Sequence, residues 1–137
     1  IEAAHQSGTL STAGGWTPGQ CMSHTAVFIK SSYDGFELGA PWILRAVCSL
    51  LLKPIATKPK SQMKPGIKLP AKARELLPED AVSVEEGIAQ MRTQIARIKS
   101  GEQMTQVSPL LGKMSHEQWV NLHLNHCRMH FGFFSYE

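Results

Sequence analysis

Three stretches of the chain open with a hydroxyl residue followed three positions later by Gln or Glu, a pairing in which side chains and backbone satisfy each other's orphan amides at a helix start. Thr17 and Gln20 form the first pair, with Pro18 at the first helical position, where its missing N–H goes unused. A helix from about Pro18 to Tyr33, ended near Gly35, is predicted. Ser83 and Glu86 form the second, and Val84, Ile88, Met91, Ile95 and Ile98 follow at spacings of 4, 3, 4 and 3, one apolar stripe that closes at Gly101. Ser115 and Gln118 form the third, ahead of a helix through Trp119, Leu122, His126, Cys127 and His130 to about Phe134. Its apolar residues occupy more than one face, which predicts the most buried helix. Pro41 to Leu52 reads as a shorter helix, Ala71 to Leu77 as a further turn or two, and Ile1 to His5 as the end of a helix that begins upstream. No stretch alternates with period two, and the glycine and proline clusters at 14–15 and 35–41 separate helical segments. The pattern predicts an all-α fold in one domain, residues 1–137, with four long helices arranged as a bundle.

Composition narrows this picture. With 137 residues, 42% hydrophobic and 18% charged, the chain can bury one core and is too apolar for wholesale disorder. Its longest apolar stretch, Pro41 to Leu52, contains Arg45 and falls short of the roughly 20 residues of a membrane span, so no transmembrane segment is expected. The net charge is only +3, but seven of the fourteen basic residues (Lys53, Lys58, Lys60, Lys64, Lys68, Lys72 and Arg74) lie between 53 and 74 without an acidic residue among them. Pro54, Pro59, Pro65, Pro70 and Gly66 interrupt that run, which makes it an irregular basic connector. A solvated loop is the plainer reading, and a contact with an anionic partner is the alternative. No aromatic residues interleave with the lysines, so the nucleic-acid signal is weak. The helix at Trp42 to Leu52 beside Lys53 combines apolar and basic residues as a membrane-surface helix would, but it is short and has no clear cationic face. Trp42 is therefore expected to pack over one end of the bundle. Cys21, Cys48 and Cys127 form no CxxC pair and are odd in number, which predicts free, buried thiols and favours a reducing, cytoplasmic setting. Residue 1 is Ile, so an export signal upstream stays open as an alternative.

Chemistry concentrates in histidines. His123, His126 and His130 are spaced 3 and 4 and fall on one face of the last predicted helix, and an i, i+4 pair can aim two imidazoles at one ion. His24, in the middle of the first predicted helix, is the natural third ligand from another element. Imidazole nitrogens suit Zn, Ni, Fe or Cu better than Mg or Ca, and an incomplete shell leaves a position for water or substrate. On spacing alone, buried histidines bonded to carbonyls are an equally good account. His123 is assigned to the second shell or a pocket wall, His116 to an exposed first turn, and His5 to no catalytic role. Cys21, three residues before His24, reads as a small buried residue rather than an activated thiolate. Glu85 and Glu86 read as helix-start partners, the aromatic tail Phe131, Phe133, Phe134 and Tyr136 as helix-end packing, and no general base, nucleophile elbow or phosphate loop is identifiable.

Two segments carry a family resemblance: Trp16-Thr17-Pro18-Gly19-Gln20-Cys21-Met22-Ser23-His24 with Ser32-Tyr33-Asp34-Gly35-Phe36 after it, and Leu122-His123-Leu124-Asn125-His126-Cys127-Arg128-Met129-His130-Phe131. Together they resemble the DinB/YfiT-like superfamily, and within it a bacterial branch of unassigned function. The resemblance implies a four-helix bundle with a divalent-metal site in which His24 matches the histidine of the second helix, and His126 and His130 the HxxxH pair of the last. The first long helix of that family is largely missing from these residues, which leaves a bundle completed upstream or by a second copy, a homodimer. Relatives in the wider superfamily include thiol-dependent S-transferases, so the resemblance implies, by analogy, a metal-dependent transferase or hydrolase acting on a small molecule. The rival from another class is a non-enzymatic helical module whose basic 53–74 segment binds an anionic partner.

Overall fold

The computed structural model describes residues 1–66 and 71–136. Along the chain run α1 (Glu2–Gln6), β1 (Ser11–Thr12), α2 (Pro18–Asp34), α3 (Trp42–Leu51), α4 (Lys53–Ala56), a 3-10 helix (Ala71–Leu76), α5 (Val84–Lys99), α6 (His116–Phe131) and β2 (Phe134–Ser135). All three expected helix starts form full capping boxes: Thr17 with Gln20, Ser83 with Glu86, and Ser115 with Gln118. The molecule is mainly helical. Among the described residues three helices are long, α2, α5 and α6, and α1 is a five-residue helix at the start of the sequence. Of the basic connector, Lys68 and Pro70 lie outside the described residues; before them it starts in α4 and turns irregular, and after them it enters the 3-10 helix.

Helix α2 is the centre of the molecule, with α5 packed on one side and α6 on another. It is also the most buried helix, eleven of its seventeen residues against five of sixteen in α6, which corrects the expectation drawn from the apolar faces of α6. The reason is position: a helix between two others is covered on more of its circumference than one at the side. Helix α5 packs four members of its expected stripe, Val84, Ile88, Met91 and Ile98, half-buried against the cores. Gly87 and Gln94 are its buried residues, and Ile95 stays 40% exposed. Backbone contact brings Gly87 against α2, since a Cβ there would stand 2.8 Å from the Gly19 carbonyl oxygen and 2.9 Å from the Met22 Cβ. The glycines let α2 and α5 approach closely at this point. Ile88, packed against Met22, also lines a shallow groove with Ile95 and Phe131.

The absence of strands expected from the pattern is corrected by a two-stranded antiparallel sheet, in which Ser11 faces Ser135 and Thr12 faces Phe134. Helix α6 accordingly stops at Phe131, short of the expected Phe134. Phe134 turns inward beside Cys21 and Met22, while Tyr136 is exposed. The main core gathers Ile29, Tyr33, Cys48, Met104, Leu111, Met114, Trp119 and Leu122. Asn125 ties α4 to α6, its Nδ2 donating to the carbonyls of Ala56 and Lys58 at 2.9 Å each. Trp42 does not cover the end of a bundle but is 72% exposed. Only Cys48 of α3 is buried, and Trp42, six positions earlier, points about 120° away from it around the helix. No helix among the described residues is long and apolar enough to cross a membrane.

Candidate metal centre

His24 comes from the buried middle of α2, and His126 and His130 from consecutive turns of α6, so the packing of α6 on α2 assembles the three. The Nε2 atom of His126 lies 3.2 Å from His24 Nε2 and 3.1 Å from His130 Nε2, and one ligand atom from each residue falls within 4.8 Å of the others. His24 Nδ1 faces the carbonyl oxygen of Leu76, which can only accept, so Nδ1 carries the proton and donates it there. The Nε2 of His24 is thereby fixed as a lone pair directed at His126, the tautomer a metal-binding imidazole needs.

The donor set fits a transition-metal ion. Two nitrogens each about 2.1 Å from one ion and about 100° apart are separated by about 3.2 Å. Both measured separations match that bite. Neutral imidazoles cannot satisfy the cluster well by themselves, because His126 Nε2 has one proton or one lone pair to share between two neighbours. Burial, and then the charge of neighbouring imidazoles, disfavours the protonated forms. Desolvation pulls His24 below the ordinary histidine value, with the Leu76 carbonyl partly opposing it. His126 is held well below that value by desolvation, then by His24, His130 and His123. His130 is pulled down to about 4 by desolvation and His24. The three imidazoles are thus kept neutral, the form in which they could hold a metal.

Trp16 forms one wall. Its ring stacks on His130 at 5.7 Å with a 12° tilt and meets His24 at 4.9 Å, and on the other side Phe28 meets His126 edge-on at 5.1 Å. No Asp or Glu joins the three histidines among the described residues. A cleft of about 430 Å³ between α2 and α5 is lined by Ser23 and Leu77, sequence neighbours of His24 and Leu76, but by none of the three histidines.

Other candidates find different places. His123 belongs to a core stack, parallel to Trp119 at 5.3 Å, with Nε2 3.0 Å from the Ser32 hydroxyl. It makes no hydrogen bond to the other histidines, its Nδ1 is buried without a partner, and burial pulls it down to about 3. His116 is half-buried rather than exposed, because its Nδ1 accepts from the Met104 backbone N–H. His5 Nε2 meets Glu85 Oε1 at 2.6 Å, and Glu86 serves the Ser83 cap. Cys21 is a buried neighbour of Met22 and Phe134, its thiol pushed up to about 11 by desolvation. Cys127 is likewise pushed up to about 11. Neither is an activated thiolate.

Trp16, Phe28 and the Leu76 carbonyl are the parts of the centre that sequence reasoning left without a role. Trp16 stood within the segment that carried the resemblance, and its place one residue before the Thr17 cap was the available signal. The carbonyl had none, since it lies 52 positions from His24. A family model described as Protein of unknown function (DUF1569) matches residues 1–137. No curated protein and no solved structure matches the chain.

Proposed function

The chain belongs to that family of unknown function, DUF1569, and from this premise we propose that it is a DinB/YfiT-like metalloprotein in which His24, His126 and His130 hold a divalent transition metal, Zn, Ni or Fe, for transferase or hydrolase chemistry. The single observation that carries the reading is the convergence of three Nε2 atoms from two helices, with His24 oriented by the Leu76 carbonyl. In this reading α2, α5 and α6 are helices of a DinB-like four-helix bundle.

A divalent ion held by His24, His126 and His130 would supply Lewis acidity toward a water or thiol. The chain's own residues do the rest of the preparation. The Leu76 carbonyl fixes the His24 tautomer, burial keeps the imidazoles unprotonated, and Trp16 shields one flank from solvent. Because desolvation holds Cys21 and Cys127 as thiols, a sulfur nucleophile in the transferase reading comes from a small thiol outside the chain. In the hydrolase reading the nucleophile would be water.

The test is elemental analysis after dialysis against trace metals, on the parent, His24→Ala and His126→Ala. The expected outcome is about one metal per parent chain and at least about 100-fold weaker binding in either variant, since even outer-sphere partners of metal ligands are worth 10–100-fold. A parent that stays empty, or folded variants that bind as the parent does, would overturn the reading.

A further inference from the structure

Between Trp42 and Ile55 stand eight of the fourteen large apolar side chains exposed among the described residues. Trp42, Ile43, Val47, Leu50, Leu51 and Ile55 project from α3 and α4, with Leu50 at 75% and Ile55 at 61% exposure. Helix α3 rests on the body through Cys48 alone among its buried residues. Single exposed apolar residues are ordinary on a protein surface; a contiguous run of this kind marks an interaction face.

Charge identifies what the face meets. From residue 38 to 74 the chain has eight Lys and Arg and no Asp or Glu, so the remainder holds all eleven acidic residues against six basic ones. Arg45, Lys58, Lys60 and Lys64 are exposed around the apolar side chains, and Lys53 Nζ is fastened to the Lys113 carbonyl at 3.1 Å. We propose that α3, α4 and the basic residues after them form a membrane-surface docking face that lies on an anionic phospholipid bilayer, with the apolar side chains in the headgroup boundary and the lysines on lipid phosphates and carboxylates. A second copy of the chain is the poorer occupant, because apposing two such faces brings two clusters of positive charge together. The ten residues of α3 span about 15 Å, too little to cross a bilayer and suited to lying in its interface. Trp42 at its start is the residue type that settles at headgroup level. The opposite charge balance of the rest of the molecule orients it away from the lipid.

The test is co-sedimentation of the chain with phosphatidylcholine vesicles, with and without phosphatidylserine, over a range of salt. The expected result is binding that needs phosphatidylserine and weakens with salt, together with a blue-shifted tryptophan emission that disappears in Trp42→Phe. Neutralising Lys58, Lys60 and Lys64 together (each to Gln) is expected to weaken binding about 5-fold per residue. Leu50→Asp with Ile55→Asp is expected to weaken it at least about 10-fold. Both residues are exposed, so the far-UV circular dichroism of that variant should match the parent's. A parent that stays in the supernatant with phosphatidylserine vesicles, or a Leu50/Ile55 variant that binds like the parent, would overturn the proposal. So would a concentration-dependent dimer, in place of vesicle binding, that the same variant abolishes.

Discussion

The junction of α2 with α6 and the outer side of α3 and α4 invert the ordinary rule of polar outside and apolar inside, each in the opposite sense. At the junction, the imidazoles of His24 and His126 are buried and that of His130 is half-buried. On α3 and α4, Trp42, Leu50 and Ile55 face solvent. Buried polar groups and exposed apolar runs are the departures that carry information, because the converse cases need no special cause. In the first region the protein gives up hydration of three nitrogens that converge on one point. In the second it leaves uncovered an apolar area that its own core does not use. On the proposed readings each region awaits something outside the folded chain, and the comparison predicts that each can be altered without disturbing the other.

Loss of metal in His24→Ala and His126→Ala is the largest expected effect, at least about 100-fold in affinity. It should leave vesicle binding unchanged, and a parallel loss of both would break the separation between the regions. Stability draws the next contrast. Trp119→Ala, which empties a fully buried site between Phe36 and His123, is expected to lower stability by about 3–5 kcal/mol, whereas Leu50→Asp should stay within about 0.5 kcal/mol. Urea unfolding followed by circular dichroism reads both, and a large loss for Leu50→Asp would mean that α3 is core after all. Gly87→Ala tests the approach of α5 to α2. The added Cβ would meet the Gly19 carbonyl oxygen at 2.8 Å, so a loss of about 1–3 kcal/mol is expected in the same assay.

The smallest effect lies at the far end of α2, where Arg97 spans Asp34 and Glu102 and covers the Tyr33 ring at 4.2 Å. Hydrogen bonding from Arg97 lowers the Asp34 pKa below 3.8, against a smaller opposing desolvation. A depressed carboxylate stabilises the fold above its unfolded pKa, and that contribution is lost as pH falls through the lowered folded value. Asp34→Asn is therefore expected to cost less than about 1 kcal/mol at neutral pH, given the exposure of the pair, and nothing once the parent carboxylate is protonated. Parallel pH–stability curves for parent and variant that never converge in acid would contradict this.

How far the sequence reveals these features depends on the range of the interactions involved. The capping boxes at Thr17, Ser83 and Ser115 are closed within four residues, and all three formed as read. The spacing of His126 and His130 is equally local, and it put two nitrogens side by side. His24 needed the packing of α6 on α2, which spacing only suggested, and the Leu76 carbonyl has no side-chain signature at all. The α5 stripe was legible, and Val84, Ile88, Met91 and Ile98 pack on the cores, while the close approach at Gly19 and Gly87 is made by backbone and left no apolar signal. Helix α3 shows the same limit from the other side. Its composition announces an apolar helix, but not whether the apolar side meets the protein or something beyond it.

X-ray absorption spectroscopy on the chain loaded with Zn tests the central claim most directly, because it reads the ligands themselves. The account predicts a first shell containing three imidazole nitrogens at about 2.0–2.1 Å, with the imidazole signal reduced in His130→Ala. A shell of oxygen ligands alone, or an imidazole count unchanged in that variant, would contradict it.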